Sequence, residues 1–211
     1  MSETPTLSEV INIGVDAKLF DLHTCLPGIV QKYDKAKNTV DVLPALKRKY
    51  ESGELVNLPM VLNIPVAFPR GGKFSITHPI KAGDSVILVF AERSLDVWKN
   101  QGGVVDPQDN RKFNLTDAFA IPGGYPSTKP IAGASDTKLR ILNDTALIEM
   151  GEDAKIKIQK VGGEDLLKLL DETLDAILAA RTMTVMGPQP FLNLATFALL
   201  KTRLSTIKGE L

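Results

Sequence analysis

Cysteine is almost missing from this chain: Cys25 is the only one in 211 residues. A lone thiol excludes an intrachain disulfide framework and any multi-cysteine zinc site, and it suits folding in a reducing cytosol. Histidine is scarce as well, with only His23 and His78, and neither an i,i+4 pair nor an HxH spacing occurs. No metal site is expected from such a set. Aromatic residues make up 6%, too few for a stacking platform interleaved with basic side chains. Neither sign of charge is in excess, because Lys+Arg and Asp+Glu both number 25. That balance argues against a broad electrostatic footprint for nucleic acid while leaving room for a local patch, and it leaves little repulsion between copies, as suits an assembly component. No apolar run approaches the roughly 18 residues of a membrane-spanning helix. Met1-Ser-Glu-Thr-Pro5 has no basic stretch leading into an apolar one, so no signal peptide is expected. The expectation is a soluble protein synthesised in the cytoplasm.

What remains is ordinary globular composition, 44% apolar and 24% charged, arranged in four textures. In residues 1–24, Val10, Ile11, Val15, Leu19 and Leu22 recur at roughly helical spacing, which predicts a partly helical N-terminal segment. Residues 25–125 read as β. Gly28–Tyr33 and Thr39–Leu43 flank the turn Asp34–Asn38 as a hairpin, and Lys47–Asn57 is a charged loop. Val61–Val66 carries Pro65, which marks an edge strand or bulge. Phe74–Thr77 and Ser85–Phe90 complete about five short strands, the last entered through the turn Lys81–Asp84. Five short strands with no helix-length segment between them predict a small barrel of the OB type rather than a parallel α/β sheet.

Pro126, Pro130 and Gly133 form a linker into residues 126–160, where Lys138–Leu142, Ala146–Met150 and Lys155–Gln159 alternate as strands. They are too few and too lightly apolar for a stable sheet within one chain, so a three-chain shaft is expected to supply their partners. In residues 161–211, Gly162-Gly163 is a break, and Glu164 and Asp165 complement the dipole of a following helix. Leu167, Leu170, Leu174 and Ile177 form one apolar stripe. Gly187-Pro-Gln-Pro190 stops that helix, and a second starts near Phe191 with the stripe Phe197, Leu200, Leu204 and Ile207. Lys201, Arg203 and Lys208 lie toward its end. The expectation is a C-terminal α-helical hairpin. The predicted class is therefore mainly β with a helical C-terminus.

Candidate chemistry is thin. Cys25 with a histidine is a conceivable dyad, but Leu26-Pro-Gly28 is no nucleophile setting, and a buried structural thiol is expected. The glycine pairs 71–72, 102–103, 123–124 and 162–163 lack phosphate-loop spacing and read as turns. Glu92 and Asp96 invite comparison with a glycosidase pair. Nothing sets them across a cleft, so Arg93 pairing with Asp96 or Asp117 to hold a corner is expected, with Trp98 as a packing anchor. The basic run Lys47–Tyr50 is balanced by Glu51 and Glu54. No catalytic, cofactor-binding or metal-binding residue is assigned.

The order LPGIVQKYDKAKNTVDVLPAL, LPMVLNIPVAFPRGGKFSITHPIKAGDSVILVFAERSLDVW and GGVVDPQDNRKFNLTDAFAIPGG resembles the N-terminal OB-fold domain of central spike proteins from contractile-tailed bacteriophages, Mu-like phages included. The resemblance covers residues 25–125. It rests on Pro65–Pro69, Gly83-Asp84 before an apolar strand, Arg93-Ser-Leu-Asp-x-Trp98, and Arg111 leading to Leu115–Phe119 and Pro122-Gly123. It implies a non-enzymatic homotrimer on the tail axis, in the virion baseplate, that transmits the force of sheath contraction and helps pierce the host outer envelope. Implied partners are the baseplate hub or tail tube and the host envelope during injection. The helical C-terminus departs from the family pattern and leaves alternatives open: the helices cap or plug the shaft, seat a separate spike-tip protein or another baseplate subunit, or face the tail tube. No specific nucleic acid is implied. The iron held by paired histidines at the apex of many such spikes is not carried over, since this chain has no HxH. The rival readings are an OB-fold module binding single-stranded nucleic acid or glycan, and, last, a spike-borne hydrolase.

Overall fold

The structure, a computed structural model, describes residues 6–160, 163, 165–190 and 193–205. It divides into two compact units, one ending at Pro130 and one beginning at Ile131.

The first unit opens with helix α1 (Leu7–Phe20), started by a capping box in which Thr6 and Glu9 satisfy each other's backbone N–H groups. The strands β1 (Cys25–Asp34) and β2 (Thr39–Pro44) follow, then the short β3 (Arg48–Lys49) and β4 (Leu55–Val56), β5 (Val61–Pro65), the short β6 (Arg70–Gly71) and β7 (Phe74–Ser75), and β8 (Ser85–Phe90). Helix α2 (Asp96–Gln101) and strand β9 (Ala118–Pro122) end the unit. Five strands form one antiparallel sheet in the order β5-β2-β1-β8-β9. The sheet curls until its two end strands meet, where Val66 and Ala120 form a parallel bridge and Ala67 N–H donates to Ala120 O at 2.8 Å.

Alternation builds the core. Val30, Val40, Val42, Ile64, Val86 and Leu88 are all at most 1% exposed and point to one face of their strands. Gly28 is required by close approach, because a Cβ there would lie 2.4 Å from Val42 Cγ1. The β1–β2 register shifts between Val30 and Lys32, and β2–β5 shifts between Val40 and Val42. Such bulges sharpen the bend that a small barrel needs. Pro65 sits on an end strand that pairs only with β2, as the proline required.

One expected strand is wrong. Phe74–Thr77 does not join the sheet. Phe74 and Ser75 pair back on Arg70 and Gly71 as a separate finger, turned at Gly72 with φ +57°. The fifth barrel strand is Ala118–Pro122, whose Ala118 and Ala120 are fully buried. Lys47–Asn57, expected as a plain loop, contains the small β3–β4 hairpin, turned at Gly53 with φ +85°.

In the second unit, β10 (Lys138–Leu142), β11 (Ala146–Gly151) and β12 (Ile156–Lys160) form an antiparallel three-stranded meander. The expectation that these strands lack partners within one chain is thereby corrected for their ladders, because β11 pairs with both neighbours. Helix α3 (Leu166–Ala179) is capped by Asp165, whose carboxylate accepts from Leu167 and Lys168 N–H. The strands β13 (Arg181–Thr184) and β14 (Gly187–Pro190) precede helix α4 (Leu194–Ser205).

The two helices pack on each other, with Leu174 and Leu204 buried and Lys201 of α4 bridging Asp171 and Asp175 of α3. Their connection differs from the expected Gly/Pro turn. The first helix ends at Ala179 rather than at Gly187, where Arg181 donates to the carbonyls of Leu178, Ala179 and Ala180. Thr182 and Thr184 are β-branched and favour a strand, and the hairpin turns through Val185-Met186, with Gly187 opening β14 at φ +98°. Gly162, Glu164, Phe191, Ile207 and Lys208 lie outside the described residues.

Candidate functional site: a charged corner and an uncovered sheet face

Two arrangements dominate the molecule. The first is the corner between β8, α2 and β9. Leu95 and Ser94 are buried there, and α2 is stopped by Gly102 at φ +66°, whose N–H donates to Trp98 O. Arg111 clamps the corner. Its Nε donates to Asp117 Oδ2 at 2.6 Å, and its Nη2 to Asp117 Oδ1 at 3.0 Å and Asp96 Oδ2 at 2.5 Å. Its Nη1 donates to Asp109 Oδ2 at 2.8 Å. The Asp117 side chain is 1% exposed, and its Oδ1 also accepts Leu95 N–H at 2.9 Å. Burial pushes the Asp117 pKa up. The Arg111 fork and the Leu95 N–H outweigh it, so the carboxyl stays below the usual range and Arg111 is raised in turn. Planar, bidentate pairing is what a guanidinium does better than an ammonium.

The corner was expected, but its clamp was misassigned. Arg93 lies outside it and pairs with Glu92 at 3.3 Å on open surface, with side-chain exposures of 50% and 65%. Trp98 packs edge-on against Phe119, ring centroids 5.5 Å apart, and is 40% exposed. Glu92 and Asp96 engage different arginines, so the two carboxylates do not form a pair across a cleft.

The remaining sequence candidates are scattered. Cys25 is exposed, contrary to the expected buried thiol, because it opens β1 at the barrel rim. His23 leans on Phe90 at 5.4 Å, and burial, then Arg48, lowers its pKa against the opposing pull of Asp21. His78 stands edge-on to Phe68 at 5.3 Å. Among the described residues, no group of three histidine, cysteine or acidic side chains gathers as a metal site. Likewise, no described helix is long and apolar enough to cross a membrane.

The second arrangement is the meander. Cross-strand register puts Leu139 opposite Met150, Ile141 opposite Ile148, and Ile148 and Met150 opposite Ile158 and Ile156. All six share one face, and five of them are 38–66% exposed. The other face carries Arg140, Glu149 and Lys157 side by side on adjacent strands. Glu149 is 6% exposed, held by Lys138 Nζ at 2.7 Å and Arg140 Nη2 at 2.6 Å. These bonds, Lys138 first, outweigh burial and keep its pKa low.

In the first unit, α1 has no buried residue and exposes Leu7, Val10, Ile11, Ile13, Val15 and Leu19. It is tied down at its C-terminal end. Arg48 lies 4.5 Å over the Phe20 ring, donates to Phe20 O and pairs with Asp21 at 3.4 Å.

No curated protein matches the chain. Residues 26–123, which run from β1 to β9 and include the Arg111 corner, match the family model described as the phage protein Gp138 N-terminal domain.

Proposed function

We propose that this protein is a structural component of a phage tail baseplate, a homotrimeric central spike or hub-plug on the tail axis, whose role is mechanical rather than catalytic. The barrel is read as OB type, with five strands ordered β5-β2-β1-β8-β9 and closed by a parallel contact between the first and last of them. The phage family match over the same residues supports that location.

The observation that carries the proposal is the uncovered apolar face of the meander. Burying each of its large side chains stabilises by about 1.5–3 kcal/mol, so six in register are a strong drive to associate. Left in water, that face contributes little apolar burial to the stability of its own sheet. Three copies turned inward around an axis cover every such face and leave the ion-paired faces outside. Force passing down the axis then loads continuous hydrogen-bonded ladders. The exposed apolar surface of α1 fits a second contact in the same assembly.

Light scattering on the full chain tests this. The expected mass is three times the 22.9 kDa of one chain. Ile141→Asp and Ile148→Asp, which place a charge in the middle of the face, should yield monomers whose barrel still melts cooperatively. A full chain that is monomeric at micromolar concentration, or a trimer indifferent to both substitutions, sinks the proposal.

A further inference from the structure

A groove of about 940 Å³ opens at the end of the barrel where the β1–β2 turn meets the β6–β7 finger. Its floor is firm. Tyr33 and Phe68 pack against the barrel core, Tyr33 Oη donates to Asn38 Oδ1 at 3.1 Å, and Asn38 Nδ2 donates to Val66 O at 3.2 Å. Its lips are cationic: Lys35 on the turn, Arg70 and Lys73 on the finger. None of these three forms an ion pair with a described residue, and no carboxylate is among the lining residues. Beside them Phe74 stands 84% exposed, an aromatic ring that the fold itself does not use.

We infer that this groove binds single-stranded nucleic acid without sequence preference. Unpaired cations along the lips suit a phosphodiester backbone, and an exposed ring beside them offers a surface on which an unpaired base stacks. A neutral glycan gains nothing from the three unpaired charges, and the Asn38 amide is already committed on both sides. A duplex hides its base faces from Phe74. The inference stands on the first unit alone and does not depend on the assembly. Along the chain Lys47–Tyr50 is the more conspicuous basic run, because residues 35, 70 and 73 line one groove only once the finger has folded.

The test is fluorescence anisotropy of the full chain with a labelled oligothymidylate of about a dozen residues, a length suited to one such barrel. Binding should weaken linearly on a logarithmic salt scale, and Arg70→Ala and Lys73→Ala should each lower that slope by about 0.7. Phe74→Ala should weaken binding about tenfold, in line with the loss of one stacked base. Because these side chains are exposed, all three variants should melt with the parent, which keeps the comparison free of folding defects. Dextran sulfate, a polyanion without bases, should compete poorly at equal charge, and so should duplex DNA. Equal competition by dextran sulfate, an unaffected Phe74→Ala, or no binding up to about 100 µM protein at low salt would overturn the inference.

Discussion

Replacing Arg111 by methionine separates a structural clamp from a surface charge. The substitution keeps a flexible apolar stem but removes five donors, leaving the Asp117 carboxylate at 1% exposure with the Leu95 N–H as its hydrogen-bond donor. Removing one member of a buried pair costs about 3–5 kcal/mol, because the other charge is left uncompensated. The Arg111 side chain is itself 26% exposed, so water reaches the site from one side and the lower end applies, about 3 kcal/mol. For a unit of this size that is roughly a 10 °C fall in Tm. Arg93→Met removes only an exposed pair and should stay within about 0.5 kcal/mol. Trp98, the chain's single tryptophan, stands in α2 against Phe119 and reports the corner by its fluorescence during thermal unfolding. Adding Asp117→Asn to Arg111→Met should recover about 1 kcal/mol or more, because the stranded charge is gone while an acceptor for Leu95 remains. If Arg111→Met melts within 2 °C of the parent, on the order of 0.5 kcal/mol, or Arg93→Met costs as much, the clamp is misread.

Two further outcomes follow from the same geometry. Asp117 and Glu149 both have pKa values lowered by folding. Their contribution is therefore fully present above the unfolded values of about 3.9 and 4.3 and is lost as pH falls through the folded ones. Urea midpoints should be flat above about pH 5 and decline below about pH 4, and Asp117→Asn should shallow that decline in the Trp98 signal. A decline beginning near pH 6 would point to the histidines instead. Gly28→Ala drives a methyl into Val42 Cγ1 and should cost about 1–3 kcal/mol by overpacking. Val42→Ala should rescue it in part, and calorimetry showing no loss in Gly28→Ala would refute the close approach.

Four of the five barrel strands are legible in the sequence, because valine and isoleucine alternate between recognisable turns. The fifth is not. In Ala118-Phe-Ala-Ile-Pro122 the positions that are fully buried, 118 and 120, are alanines, which carry little strand signal. Phe74–Thr77 has the better local pattern. It fails because Gly71-Gly72 turns it onto Arg70 before it can reach a neighbour. The clamp was missed for a related reason. Arg93 is three residues from Asp96, whereas Arg111 is fifteen away and reaches it only once β9 has returned beside β8. Within 161–211 the helix stripes were legible, but the run Arg181–Val185 carries a strand signal that the nearby prolines obscured.

The two units place their polar and apolar groups in opposite ways, and that contrast bears on what each is for. In the barrel, the buried carboxylate of Asp117 is satisfied from within the unit, and one face of each main strand contributes to a single buried core. The meander reverses the arrangement: its buried charge, Glu149, is ion-paired on one face, while Leu139, Ile141, Ile148, Met150, Ile156 and Ile158 share the other, and five of these six are well exposed. Moving that charge to the other face would take a one-residue slip in register, which would also turn six apolar side chains over. Register and ion pairing therefore hold the apolar face in place, though within the unit it gains little from being there. An apolar face kept exposed in this way is what the proposed three-copy assembly would cover, and the Ile141→Asp and Ile148→Asp variants test that reading.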